Sequence, residues 1–289
     1  MGNYGYFTDR PSGDEMPYTD LACERRRADV DVSGVDYSEE SASCGRWERI
    51  RISSAAGAES IGRPMGRYDT LTLDRLDLID LYTIEDAKDE IAKELCVLCE
   101  GLDVIPERVL VVGLGNPNLM PDAIGPLAAA EVKATMHIKD FDRRFFTLLE
   151  CSEIAVVTPG VRAFSGMDAA SVVRGITREI EPSLIVAIDS IAARESKRLG
   201  TTVQMCDSGI FPGSGLGNCA AEITQNSIGV PVIAIGVPTV IDSRMFRQSG
   251  TDIPNEPAMF VSPKEICEIA EVGAKIIGGG INQAFGLYS

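Results

Sequence analysis

Two aspartates that follow apolar runs are the residues best placed for chemistry in this sequence of 289 residues. Asp122 closes Val109-Leu-Val-Val-Gly-Leu-Gly-Asn-Pro-Asn-Leu-Met-Pro-Asp122, and Asp189 follows Leu184-Ile-Val-Ala-Ile188. In an open α/β sheet, ligands bind beyond the carboxyl ends of the strands, so two carboxylates there can meet across one crevice. Close carboxylates do not ionise together: one keeps a proton as an acid while the other remains a base. For Asp122 alone, capping of the helix that follows is an equal alternative. Asp189 has no such turn to explain it, and ending so apolar a strand desolvates its carboxylate and raises its pKa unless a partner answers it. Arg194, five residues on, is the expected partner, as an orienting group or a simple salt bridge.

Other chemistries are poorly supplied. The one histidine, His137, is expected at a helix end, which argues against Ser-His and Cys-His catalysis. Eight cysteines are scattered through a long chain without an export signal and read as reduced thiols. Cys96 and Cys99 form a C-x-x-C inside a helical pattern with no second pair, so they read as spacers, and neither metal nor cofactor is expected. The Gly113-Leu-Gly115 run suggests a dinucleotide loop, but Asn118 stands where a third glycine belongs, and Pro117 and Pro121 hold the loop extended. The segment Asp207-Ser-Gly-Ile-Phe-Pro-Gly-Ser214-Gly215-Leu-Gly-Asn218 offers backbone N–H groups for a groove or an oxyanion, or is a flexible connection. Thr158-Pro-Gly160-Val161 and Gly236-Val-Pro-Thr239 also follow strands, so three loops converge on one sheet edge.

The elements that must hold these residues follow from periodicity. Residues 1–20 have none and read as an extended arm. Arg46–Ile52 and Tyr68–Leu73 alternate and predict a small antiparallel element. From Ile84 the pattern becomes helix, strand, helix, strand: helices over Ile84–Leu102, Ala123–Met136 and Asp168–Ile180, and strands over Arg108–Gly113, Ile154–Val157, Leu184–Ile188, Thr201–Met205 and Pro231–Val237. Asp168 is the expected cap of the third helix. A last helix is predicted from Ser262 as cap, with Glu265 closing a capping box, to a stop at Gly278-Gly-Gly280. The fold class is therefore α/β, a wound and mostly parallel sheet flanked by helices, with a small N-terminal β-containing subdomain.

A net charge of -16 argues against direct binding of nucleic acid, and no run approaches the roughly 20 apolar residues of a membrane span. The expectation is a soluble, intracellular protein.

The sequence resembles the spore germination protease family, whose members degrade small acid-soluble spore proteins. The resemblance is carried by Gly113-Leu-Gly-Asn116 with Pro121-Asp122-Ala-Ile-Gly-Pro126, Thr158-Pro-Gly160-Val161, Ala187-Ile-Asp189 with Ala192-Ala-Arg194, Pro212-Gly-Ser-Gly-Leu-Gly-Asn218 and Ile235-Gly-Val-Pro-Thr239. It runs from about Thr19 to Val240 and resumes at Phe260, and the stretch Ile241–Met259 looks shorter than in longer relatives. It implies an endopeptidase made as a self-processing zymogen, with a propeptide over 1–20 and the protease domain over 21–289. Self-cleavage falls between Asp20 and Leu21 in Thr19-Asp-Leu-Ala-Cys-Glu24. It assigns Asp122 and Asp189 as the catalytic pair; Asn116, Gly160, Arg194, Ser214 and Gly215, in the same motifs, are expected in substrate-binding or supporting roles. It also implies a homotetramer in the cytoplasm of the forespore or spore core. Phe211 stands where the Gly-rich motif is expected to carry a histidine, which leaves no evident zinc set. Two alternatives remain: a hydrogenase-maturation-like protease that recognises nickel, and a non-catalytic relative that binds spore proteins.

Overall fold

A computed structural model describes residues 19–26, 32–211, 221–246 and 259–286. Nine strands form one sheet: β1 (Val35–Ala42), β2 (Gly45–Ile52), β3 (Gly66–Thr72), β4 (Arg108–Gly113), β5 (Glu153–Val157), β6 (Leu184–Ala193), β7 (Thr202–Cys206), β8 (Val232–Asp242) and β9 (Phe260–Val261). The order is β1-β2-β3-β7-β8-β6-β4-β5, with β9 added to β8. Strands β8, β6, β4 and β5 run parallel, and β1, β2, β3 and β7 extend the sheet antiparallel. The antiparallel N-terminal element thus exists but is continuous with the main sheet. β1 escapes a reading of the sequence, because its alternation is of polar residues with little apolar signal.

The helices are α1 (Ala22–Arg25), α2 (Ala55–Ile61), α3 (Leu81–Gly101), α4 (Ile124–Glu131), α5 (Met136–Phe141), α6 (Arg143–Leu149), α7 (Arg162–Ser165), α8 (Ala169–Ile180), α9 (Gln225–Ile228) and α10 (Ile266–Phe285). Successive strand residues point to opposite faces, and this divides the core in two. Val109 and Val111 pack beneath α3, α4 and α10, whereas Leu110 and Val112 pack with Val173 of α8 and Ala22 of α1.

Several boundaries differ from expectation. The predicted helix over Ala123–Met136 breaks at Val132, and His137 lies exposed in the first turn of α5. Asp168 occupies the N-cap position of α8, yet its carboxylate pairs with Arg162 and does not cap. No capping box opens α10: Ser262 instead donates its hydroxyl to the Thr239 carbonyl at 2.8 Å. α10 also runs straight through its three glycines. A Cβ on Gly278 would lie 2.4 Å from Glu131 Cβ, and one on Gly280 would lie 2.6 Å from Ile91, so these glycines serve close approach to α4 and α3 and do not stop the helix.

Candidate active site

The loop after β4 is built around Asp122. Gly115 adopts φ +111, and a Cβ there would sit 2.1 Å from the Asp122 carbonyl oxygen, so this turn requires glycine. The Asn116 N–H then donates to both the carbonyl oxygen and Oδ2 of Asp122, each at 2.9 Å. Thr239 of β8 is fully buried and donates its hydroxyl to the Pro121 carbonyl at 2.6 Å, which ties the loop across the sheet. Capping does not explain Asp122. Ala123 holds the cap position of α4, and Asp122 ends a short 3₁₀ turn over Met120–Asp122.

Asp189 does not end its strand, as the sequence suggested, but lies inside it, because β6 continues to Ala193. What ends nearby is the pairing with β4, whose last register partner is Ile188. Asp189 is thus the first residue of β6 beyond β4, still held by β8 through Gly236. Its carboxylate is almost fully buried and accepts from the Ser190 N–H at 2.9 Å.

Both aspartates border one cavity of about 370 Å³, shared with Asp20, Arg63, Gln204 and Thr239. Burial pushes the Asp122 carboxyl up to about 6, against the pull of the Asn116 N–H. Asp189 is driven well above the usual carboxylate range, first by burial and then by the charges of Asp122 and Asp20. Neither forms a salt bridge among the described residues. The hydroxyl of Ser190, buried without a hydrogen-bond partner among the described residues, also faces this region.

The vacated edge of β6 is taken by residues 19–26. Asp20 N–H donates to the Ala192 carbonyl, and Ala192 N–H donates to Asp20 Oδ2, both at 2.9 Å. Gln204 clamps the same segment, giving its amide to the Asp20 carbonyl at 3.2 Å and accepting the Ala22 N–H at 2.8 Å. Leu21 is fully buried against Ile191 and Ala193. Glu24 accepts from the N–H groups of Arg194 and Glu195 at 2.7 and 2.8 Å.

The other expected site residues divide. Asn116 is a backbone support for Asp122. Arg194 is not shown pairing with Asp189; its guanidinium donates to the Glu24 carbonyl. Gly160 is left-handed at φ +71 in the turn after β5 and is not among the residues that line the cavity. Ser214 and Gly215 lie outside the described residues. Phe211 does join the cavity wall. Among the described residues no cluster of three or more His, Cys, Asp or Glu side chains suits a metal ion. Arg63 and Gln204 are additions from the fold: Arg63 sits in a turn with no pattern around it, whereas Gln204, a polar residue inside the apolar β7, carries a readable signal.

The sequence matches the family described as germination protease over residues 15–253. A germination protease of Caldanaerobacter subterraneus is 38% identical over 229 residues, covering 78% of this chain and 69% of its own length. One from Clostridium perfringens is 32% identical over 314 residues, covering 92% and 94%. Among solved structures, a [NiFe] hydrogenase maturation protease of Thermococcus kodakarensis matches at 18% identity, with 65% of this chain and 99% of that chain covered and a TM-score of 0.37.

Proposed function

The chain belongs to the germination protease family, a family of proteases, and from that premise we propose that it is the endopeptidase that degrades small acid-soluble spore proteins, with Asp122 and Asp189 as its catalytic pair. The observation that carries this reading is that one buried and one half-buried carboxylate, Asp189 and Asp122, border the same cavity, with no salt bridge to either among the described residues. Of the two, Asp122 loses its proton first. As the base it takes a proton from water, which attacks the peptide carbonyl, while Asp189 keeps its proton and donates a hydrogen bond to the developing oxyanion.

The same reading makes the chain a zymogen that cuts itself between Asp20 and Leu21. Its support is that Asp20 borders the cavity of the aspartate pair and that its charge acts on Asp189. A homotetramer within the forespore or spore core completes the proposal. The exposed apolar side chains Phe141, Phe145 and Leu148 of α5 and α6 are surface that association would cover. No helix among the described residues is long and apolar enough to cross a membrane.

Incubation of the purified protein with a small acid-soluble spore protein, read by mass spectrometry, tests the proposal. Cuts after Glu or Asp are expected, and these must vanish in Asp122→Asn and Asp189→Asn. Intact substrate with the wild-type chain would instead leave a binding protein.

A further inference from the structure

We propose that Arg63 is the specificity determinant for an acidic residue on the N-terminal side of the cleaved bond. This inference rests on the reading that the bond after Asp20 is cut.

Arg63 leaves the turn that ends α2, just after the left-handed Gly62 at φ +67. Its Nη2 donates to Asp20 Oδ1 at 3.0 Å and to the Thr19 carbonyl at 2.8 Å. The two side chains are only 11% and 10% exposed. The second carboxylate oxygen, Oδ2, is held by the Ala192 N–H. Both oxygens of the acid therefore meet donors, one charged and one from the main chain, while the Asp20 backbone is fixed by Ala192 and Gln204.

The chemistry of this pocket discriminates. A carboxylate satisfies both donors. An amide of the same size offers one oxygen and turns N–H groups toward a guanidinium or a backbone N–H, and an apolar residue removes the acceptor from both donors. Because Asp20, Arg63 and the aspartate pair border the same cavity, the pocket selects the residue whose carbonyl is presented for attack. Lysine would supply the charge without the planar fork and keep part of the preference.

The test uses the self-processed enzyme and synthetic peptides copying residues 15–26, with Asp or Asn at the position of Asp20. The wild type is expected to favour the Asp peptide in kcat/KM by on the order of 10- to 100-fold. Arg63→Gln is expected to bring that ratio to about 3 or less, and Arg63→Lys to retain part of it. An undiminished ratio in Arg63→Gln overturns the inference. A double-mutant cycle on self-cleavage of the full chain probes the same pairing without peptide docking: Asp20→Asn should slow processing in the wild type and add little in Arg63→Gln. Independent, additive effects count against the pairing. A wild-type chain that cuts neither itself nor the Asp peptide refutes the proposed function alone. Hydrogen exchange over residues 19–26 then decides the recognition, with protection lost equally in Asp20→Asn, Arg63→Gln and the double variant, or the pairing fails.

Discussion

Two acid pairs lie against the same sheet and are treated oppositely. Asp69 of β3 and Glu94 of α3 are sealed from solvent and clamped by two arginines: Arg49 reaches Glu94 at 2.6 Å and Asp69 at 3.5 Å, and Arg67 reaches Asp69 at 3.2 Å. Asp122 and Asp189 have backbone N–H donors and an open cavity in place of cations. Both sites perturb their acids. Burial, with Asp69 beside it, pushes Glu94 up to about 7, as burial pushes Asp122 up to about 6. A shifted carboxyl is therefore no sign of catalysis by itself. The arginine clamp marks the first pair as a fastening of α3 to the sheet; the cavity beside the second pair, with no salt bridge to either acid among the described residues, suits the reactive role proposed for it.

The sharpest way to break this contrast is to neutralise the cavity pair. Asp122→Asn or Asp189→Asn should lower cleavage on the order of 10²–10⁴-fold, with the fold intact by circular dichroism. In the wild type, the rate should rise as pH passes up through about 6 and Asp122 ionises, then fall when Asp189 gives up its proton. Next in size, Arg49→Ala removes one of the two clamping arginines and leaves Arg67 alone to answer both buried carboxylates, costing about 3 kcal/mol in denaturant unfolding, while cleavage per folded molecule is kept.

A smaller effect separates the two pairs by pH. A carboxyl raised in the folded state binds extra protons there, so its stabilisation is complete below the unfolded pKa and is lost as pH rises through the folded one. Glu94→Gln should flatten the fall in stability between about pH 4.5 and 7 without changing the cleavage rate. Asp122→Asn should flatten the lower part of that window, from about 3.8 to 6, and abolish cleavage. Smallest is Thr239→Val, which leaves the Pro121 carbonyl without its buried donor; about 1–2 kcal/mol of thermal stability and a several-fold loss of rate are expected.

The parallel strands are easy to read in the sequence because buried strands are continuous apolar runs: β4 is bounded to the residue, and Asp122 and Asp189 stand out as acids out of keeping with such runs. Their different settings are not legible. Asp189 looks terminal since it breaks the apolar run Leu184–Ile188, and only pairing with β8 and with the N-terminal segment shows that β6 continues. Arg194 matches Asp189 on sequence distance, but alternation along the strand and the nearby Glu24 carbonyl redirect it. The glycines of α10 have the composition of a helix stop, and their use against Ile91 and Glu131 depends on neighbours nearly 150 residues or more away in sequence. Arg63 gains its meaning entirely from what the fold brings to it.

Because β4 stops short of Asp189, β6 has a stretch of bare edge, and Asp20 holds it at Ala192, giving its N–H to the carbonyl and its carboxylate to the N–H. On the proposed function, whatever replaces that segment must offer a free backbone N–H to the same rail at the position of Asp20. A compact domain keeps its amides engaged in its own helices and sheets and has none to lend. If the proposed function holds, the groove sorts polypeptides by state before it sorts them by side chain, favouring unstructured chains over folded ones.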